Sequence, residues 1–525
     1  MAFPTDRQAI LSPSTSSLPY GLAPSAELIV AMMSATRGRQ PREGEHKFFN
    51  KSGGSVSRVP GTGISSHLTT SDRFHRILDG LASLCISRTP NQVLAVGFQI
   101  NQPASRLTIS IADNCDVEQD TVNFLEMTWD LLKELSNLYA EQRLKTGLPP
   151  TGVPCNRNVG VSPHIPRSRE AAAIIERLTE HVYTFTWNKQ MARINKWWDP
   201  TDKPGLLYFA RLFQAKMGNQ LTGNNRKLEI FLLLIRDTVT CLRSPKVDWE
   251  LDIIFMKKAI DIASDLLGGD DPYWCSRLAI SLMPPMSSPD AIKESAFPLG
   301  RAIERLTSHH RYLYELISFA HSPRLRLAFE LKMTVDPVPV RTPPGTSQLP
   351  TSTEDWRGVL EDLCVHHDHI LRPEQAVPIL ESLMRYCPKT PTPRRVHCEC
   401  TLVAHYDHLR STDGYVPPFS YIGVSKPSCK PCSLWLAAFN ARGNGYPKFY
   451  TRGTHGKWYY PWTAPHVARW DPGIGHLLGS QFVEYLTAEG IAKSAVASEE
   501  TAWEEDEVED EKVMAYVDRS AKADF

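Results

Sequence analysis

The chain has 525 residues, 42% of them apolar and 22% charged, with 40 prolines and 30 glycines, which excludes collagen, a coiled-coil rod and full-length disorder and leaves enough apolar residues for a sizeable core. Its 58 basic and 58 acidic residues cancel, but nine of the acids crowd between Glu499 and Glu511, leaving 58 basic against 49 acidic residues elsewhere. Binding to a polyanion therefore stays open. Eleven cysteines, mostly scattered, exclude a disulfide scaffold and predict a reducing, intracellular setting, cytoplasmic or nuclear. The apolar run Ile230–Ile235 falls far short of the roughly 18–20 residues that span a bilayer, and the stretch Leu28–Met33 is too short for a secretory signal, so neither a membrane nor secretion is expected.

Residues 1–70 contain 30 Ser, Thr, Pro and Gly and read as a disordered tail. Ser71-Asp72 are N-cap residues ahead of Phe74, Ile77, Leu78, Leu81 and Leu84, whose spacing predicts a helix. Val93–Ile100 and Leu107–Ile111 are short, β-branched and separated by a five-residue loop, which predicts a hairpin. Together 71–115 form a possible first part of a sheet.

Residues 116–387 read as a mainly helical insertion or side domain, with apolar stripes at Val122–Leu144, Ser168–Trp197, Lys227–Leu242, Leu251–Leu267, Ile303–Ala320 and Asp355–Ile370. Prolines at 149–150, 284–285 and 343–344 separate them, and no fixed repeat period is present. Trp197, Trp198 and the cluster His366, His367 and His369 read as core or surface residues, because the histidines lack sequence partners at ligand spacing.

Composition changes after Pro388. Residues 388–470 carry 11 Lys and Arg against three acids, with 14 aromatics, and 388–492 read as the unit that carries chemistry. A helix near Ile474–Leu486 follows, and 493–525 read as a solvated acidic tail.

Two short motifs stand in this unit. His397-Cys398-Glu399 opens one amphipathic stretch and Cys429-Lys430-Pro431-Cys432 opens another, with a buried strand expected at Phe419–Val424 between them. Both motifs would then sit at helix entrances on one side of a sheet. Two thiolates three positions apart can grip a tetrahedral metal from a helix N-terminus, where backbone dipoles favour deprotonated sulfur. The imidazole of His397 makes a third ligand, and a site with three protein ligands leaves the fourth position to water, which zinc acidifies. Glu399, two residues beyond the ligand, is placed to take that proton without binding the metal. Cys398 or Cys400 could instead supply a fourth ligand and close the site into a structural one.

Together these residues resemble the zinc-dependent cytidine deaminase-like superfamily, whose signature joins HxE to a PCxxC-type element. The further stretches from Tyr421 to Cys429 and from Thr451 to Lys457, followed by Pro461-Trp462, resemble the OTT-like deaminases, a family that occurs in bacterial toxin-type proteins and is expanded in a fungal branch. The resemblance covers about residues 390–470. It implies a three-layer α/β/α deaminase-like domain with a mixed sheet, in which a helix and a hairpin precede the HxE helix, alongside the large helical region. It also implies Zn2+ on His397, Cys429 and Cys432 with Glu399 catalytic. One departure is Ser428, which stands where the family signature has proline; zinc binding is expected to survive it.

Arg452, Thr454, His455 and Lys457 in a Gly-rich turn are read as phosphate contacts, with a solvated turn as the alternative. Trp458 is read as a base-stacking residue beside them, with a core position as the alternative. Two functions are carried forward. One is hydrolytic deamination of a cytosine or adenine base in a nucleotide or nucleic acid; the other is an inactive deaminase-like scaffold or nucleic-acid-binding module with structural zinc.

Overall fold

The computed structural model describes residues 25–37, 72–88, 92–147, 168–198, 205–217, 223–242, 274–282, 299–323, 325–340, 346–442, 447–465 and 473–488, together with a few positions between 255 and 266. The expected acidic tail and the proline joints at 149–150, 284–285 and 343–344 lie outside these residues, as does most of the helix expected at Leu251–Leu267.

The predicted hairpin is present. Strand β1 (Leu94–Asn101) and strand β2 (Arg106–Asp113) are antiparallel, with Leu94 opposite Asp113 and Asn101 opposite Arg106. Strand β3 (Lys332–Pro337) runs parallel to β2 along its outer edge. A separate two-stranded ribbon pairs β4 (Thr346–Ser347) with β5 (Thr392–Pro393). Strand β6 (Gly423–Val424) adds antiparallel to β1, giving a mixed four-stranded sheet in the order β3–β2–β1–β6. The segment expected as a strand at Phe419–Val424 follows β1 beyond this short pairing, through bonds from Phe419 N–H to Phe98 O at 2.8 Å and from Ser425 N–H to Leu94 O at 3.0 Å. On its far side Tyr421 bridges in parallel to Tyr450.

Side chains alternate across a strand, and the two faces of the sheet have different cores. Leu94, Val96, Phe98, Leu107, Ile109 and Ile111 face a large cluster that includes Phe74, Ile77 and Leu78 of the Asp72–Leu84 helix. The same cluster continues into Gln119–Lys145, Arg169–Trp198 and Leu299–Ala320, so the helical region and this face of the sheet share one core. Ala95 and Ala112 face the other cluster, with Cys398, Leu402 and Tyr406 of the Cys398–Leu409 helix. Small residues on this face let that helix come close: a side chain on Gly97 would collide with the Tyr406 hydroxyl. The result is an α/β/α layering joined to a helix-rich region.

One expectation is corrected. Within the predicted tail, Ala26–Arg37 is a helix, and Ile29, Val30, Met32 and Met33 are buried in the second cluster. It packs against Pro373–Tyr386 and Gly473–Ala488. The surrounding Ser, Thr, Pro and Gly dominate the average composition and conceal a short apolar segment whose partners lie hundreds of residues away. The remainder of 1–70 lies outside the described residues. No helix among the described residues is long and apolar enough to cross a membrane.

Candidate metal centre

Both motifs stand at helix starts. His397 is the extended N-cap residue of Cys398–Leu409, and its helix is further capped by Asn114, at the end of the hairpin, whose Oδ1 accepts from Cys398 N–H at 3.1 Å. Cys429 is the N-cap residue of Lys430–Asn440, with its sulfur accepting from Cys432 N–H at 3.5 Å. The two helix entrances converge. Nδ1 of His397 lies 3.4 Å from Cys429 Sγ and 3.4 Å from Cys432 Sγ, and ligand atoms of the three residues all lie within 4.8 Å of one another.

These side chains fit a zinc ion. One imidazole and two sulfurs form a donor set that zinc favours, and sulfur-to-nitrogen contacts of this length are poor substitutes for a metal bond. Burial pushes both thiols well above their usual titration range, whereas a coordinating cation holds thiols deprotonated. The positive ends of both helices act in the same sense.

Neither Cys398 nor Cys400 joins this group of three. The Cys398 thiol is turned to Glu399 Oε2 at 3.4 Å, while the Cys400 and Cys432 thiols interact with each other. Glu399 is buried, 4% exposed, on the turn that follows His397.

A neighbour that the motifs alone do not reveal completes the sulfur environment. Arg395 bridges in parallel to Trp462, with Arg395 N–H bonded to Pro461 O at 3.0 Å and Thr463 N–H bonded to Arg395 O at 2.8 Å. That pairing brings the Trp462 indole onto Cys432, where Nε1–H donates to Sγ at 3.2 Å. In the sequence Trp462 belongs to an aromatic run, and the Pro461-Trp462 pair contributes to the family resemblance, but neither places its indole on Cys432.

The Gly-rich turn lies against the CxxC helix. Ser428 N–H bonds Gly453 O at 2.9 Å, His455 N–H bonds Ser428 O at 3.1 Å, and Lys430 N–H bonds Lys457 O at 2.9 Å. Proline, the residue of the family signature at this position, could not make the first of these bonds. Thr454 Oγ1 accepts from Gly456 N–H at 3.0 Å and His455 Nδ1 from Lys457 N–H at 3.1 Å, so both help to shape the turn. The ring of Tyr459 stands between His455, at 5.5 Å, and His397, at 6.4 Å, measured between ring centroids.

Arg452 and Trp458 are turned away from the role expected of them. The Arg452 guanidinium reaches Ser425 O at 3.0 Å and the Tyr312 hydroxyl at 3.3 Å, on the side where Asp79 is buried. Asp79 accepts from the Tyr421 hydroxyl at 2.8 Å and from Val424 N–H at 2.9 Å. Trp458 is only 1% exposed, within the second core cluster. Tertiary packing claims both side chains: the arginine is bonded to Ser425 O and the Tyr312 hydroxyl, where its charge acts on the buried Asp79, and the indole offers more apolar area than the turn could leave in water.

Residues 396–466 match the family model of the OTT_1508-like deaminases. No curated protein and no solved structure matches the chain. The matched stretch begins immediately before His397 and closes just after Trp462, so it contains the three converging side chains, Glu399 and the indole bonded to Cys432. Residues 396–466 therefore form a domain of the OTT_1508-like deaminase family.

Proposed function

We propose that the protein is a zinc-dependent hydrolytic deaminase acting on a cytosine or adenine base carried by a nucleotide or nucleic acid. The observation that carries this reading is the convergence of His397, Cys429 and Cys432 at two helix N-termini, with the buried carboxylate of Glu399 on the adjoining turn. A zinc ion held by these three residues supplies Lewis acidity towards water at neutral pH.

The protein's own groups account for the proton movements. Glu399 accepts a proton from the attacking water and delivers it to the ring nitrogen beside the carbon under attack. It then assists transfer of a second proton to the exocyclic amine. The carbon–nitrogen bond breaks and ammonia leaves, so an amino group and one water become a ring carbonyl and ammonia. Cys398, bonded to the carboxylate at 3.4 Å, fixes its orientation. His455 and Lys457 supply polar and cationic contact for a phosphate, and Thr454 holds their turn. The 11 Lys and Arg against three acids in 388–470 support a phosphate-bearing substrate over a free nucleoside.

The test is Glu399→Gln in the full chain, assayed for ammonia and for deaminated base across cytosine- and adenine-containing nucleotides and single strands. Loss of roughly 10²- to 10⁴-fold in rate with zinc content retained is expected. An unmodified protein that binds zinc and single strands but releases no ammonia from any of these substrates would instead support a scaffold with structural zinc.

A further inference from the structure

A second cluster of metal-ligating side chains, sharing no residue with the first, lies where two helices meet. Thr353–His366 ends on His366, and His367 is its C-cap residue. His476 stands in the first turn of Gly473–Ala488. A ring nitrogen of each lies within 4.8 Å of the other two. The His367 and His476 rings stack at 4.7 Å, and His366 meets His367 edge-on at 5.2 Å.

Packing alone gives a weak reason for three imidazoles to gather here, because His366 and His476 are exposed and little apolar area leaves water. His367 has the features of a held ligand. Its Nδ1 lies 3.4 Å from the Ser480 hydroxyl, and its Nε2 is buried without a hydrogen-bond partner. It sits beside Gly479, where any Cβ would collide with that nitrogen. Two of the three histidines also stand at a helix C-terminus, the end that favours a cation.

We propose that His366, His367 and His476 form a second metal site, for a divalent cation of the zinc, copper or nickel class that imidazoles select, with water completing its coordination on the exposed side. Occupancy fastens Gly473–Ala488 to Thr353–His366. The C-terminal helix it fastens packs against Lys430–Asn440, the helix whose first turn holds Cys432, so the second ion braces the support of the first. The proposal does not depend on any catalytic role for Glu399.

The experiment uses the full chain, stripped with a chelator and reloaded with Zn2+ for calorimetry and metal analysis, and with Co2+ for absorption spectroscopy. The unmodified protein is expected to take two ions, one showing sulfur-to-cobalt charge transfer and one showing only the weak bands of a nitrogen and oxygen environment. His476→Gln and His366→Gln, both at exposed positions, should each weaken the second ion by at least roughly tenfold and leave the charge-transfer band intact. Zn2+ at the second site should also slow hydrogen exchange across 473–488 in the unmodified protein, and less so in His476→Gln. One ion per chain in the unmodified protein, or unchanged binding of the second ion in His476→Gln, would overturn the site. Exchange across 473–488 that ignores its occupancy would overturn the bracing role.

Discussion

The indole Nε1–H of Trp462 donates to Cys432 Sγ across 3.2 Å, with both residues at 0% exposure. A sulfur that ligates a metal carries negative charge, and a buried donor aimed at it stabilises that charge while fixing its direction. Trp462→Phe keeps an aromatic ring in the core and removes the donor. Zinc affinity, measured by competition with a chromophoric chelator, should fall by about 10- to 100-fold; unchanged affinity would show that the indole serves packing alone.

Ser428 occupies the position of a family proline and uses the N–H that proline lacks, bonding Gly453 O at 2.9 Å. Ser428→Pro should retain zinc, because Cys429 and Cys432 are untouched. It should destabilise the fold by about 0.5–1.5 kcal/mol, the net worth of one intramolecular hydrogen bond. Hydrogen exchange should quicken at His455, whose N–H bonds Ser428 O. A variant as stable as the parent would mean that the turn is held by its remaining bonds.

Asp79 links the Asp72–Leu84 helix to the sheet, and burial pushes its carboxyl up to about 6, with Arg452 and the bonds from Val424 and Tyr421 opposing. The folded value lies above the unfolded one, so the folded state holds the proton more tightly. Stability from this group is therefore fullest at low pH and declines as pH rises from about 4 to about 6. Relative to Asp79→Asn, the parent should lose about 3 kcal/mol across that window, read from urea unfolding at a series of pH values. Parallel pH profiles for the two proteins would exclude the assignment.

At Gly423 the sheet comes close to the Asp72–Leu84 helix, and a Cβ there would strike the backbone of Leu78. Gly423→Ala should cost about 1–3 kcal/mol by forcing helix and strand apart. It should also disturb the bond from Val424 N–H to Asp79, lowering the thermal midpoint. A midpoint equal to the parent's would show that the helix can shift freely.

The extent to which the sequence foretold this structure follows the range of each interaction. The hairpin, the Asp72–Leu84 helix and both helix entrances of the candidate metal centre were legible because periodicity, N-cap residues and a CxxC spacing act over a few positions. The spacing of Cys429 and Cys432 on one helical turn sets two sulfurs side by side whatever surrounds them, and the HxE pair places Glu399 just beyond His397 in the same way.

Contacts between distant segments were hidden. Ala26–Arg37 is helical and buried because Pro373–Tyr386 and Gly473–Ala488 cover it, and its own neighbours in sequence argue for the opposite. Arg452 and Trp458 look like a phosphate-binding arginine and a stacking aromatic until Asp79 and the second core claim them. His366 and His367 acquire a partner only when His476 folds back against them. Local spacing set Cys429 beside Cys432 and Glu399 just beyond His397, since helix geometry alone makes neighbours of residues within one turn, whereas the approach of His397 to the two cysteines joins two helices and is tertiary. Burial, the indole behind Cys432 and the histidine junction were decided by packing between segments far apart in the chain, where no local pattern records which surfaces will meet.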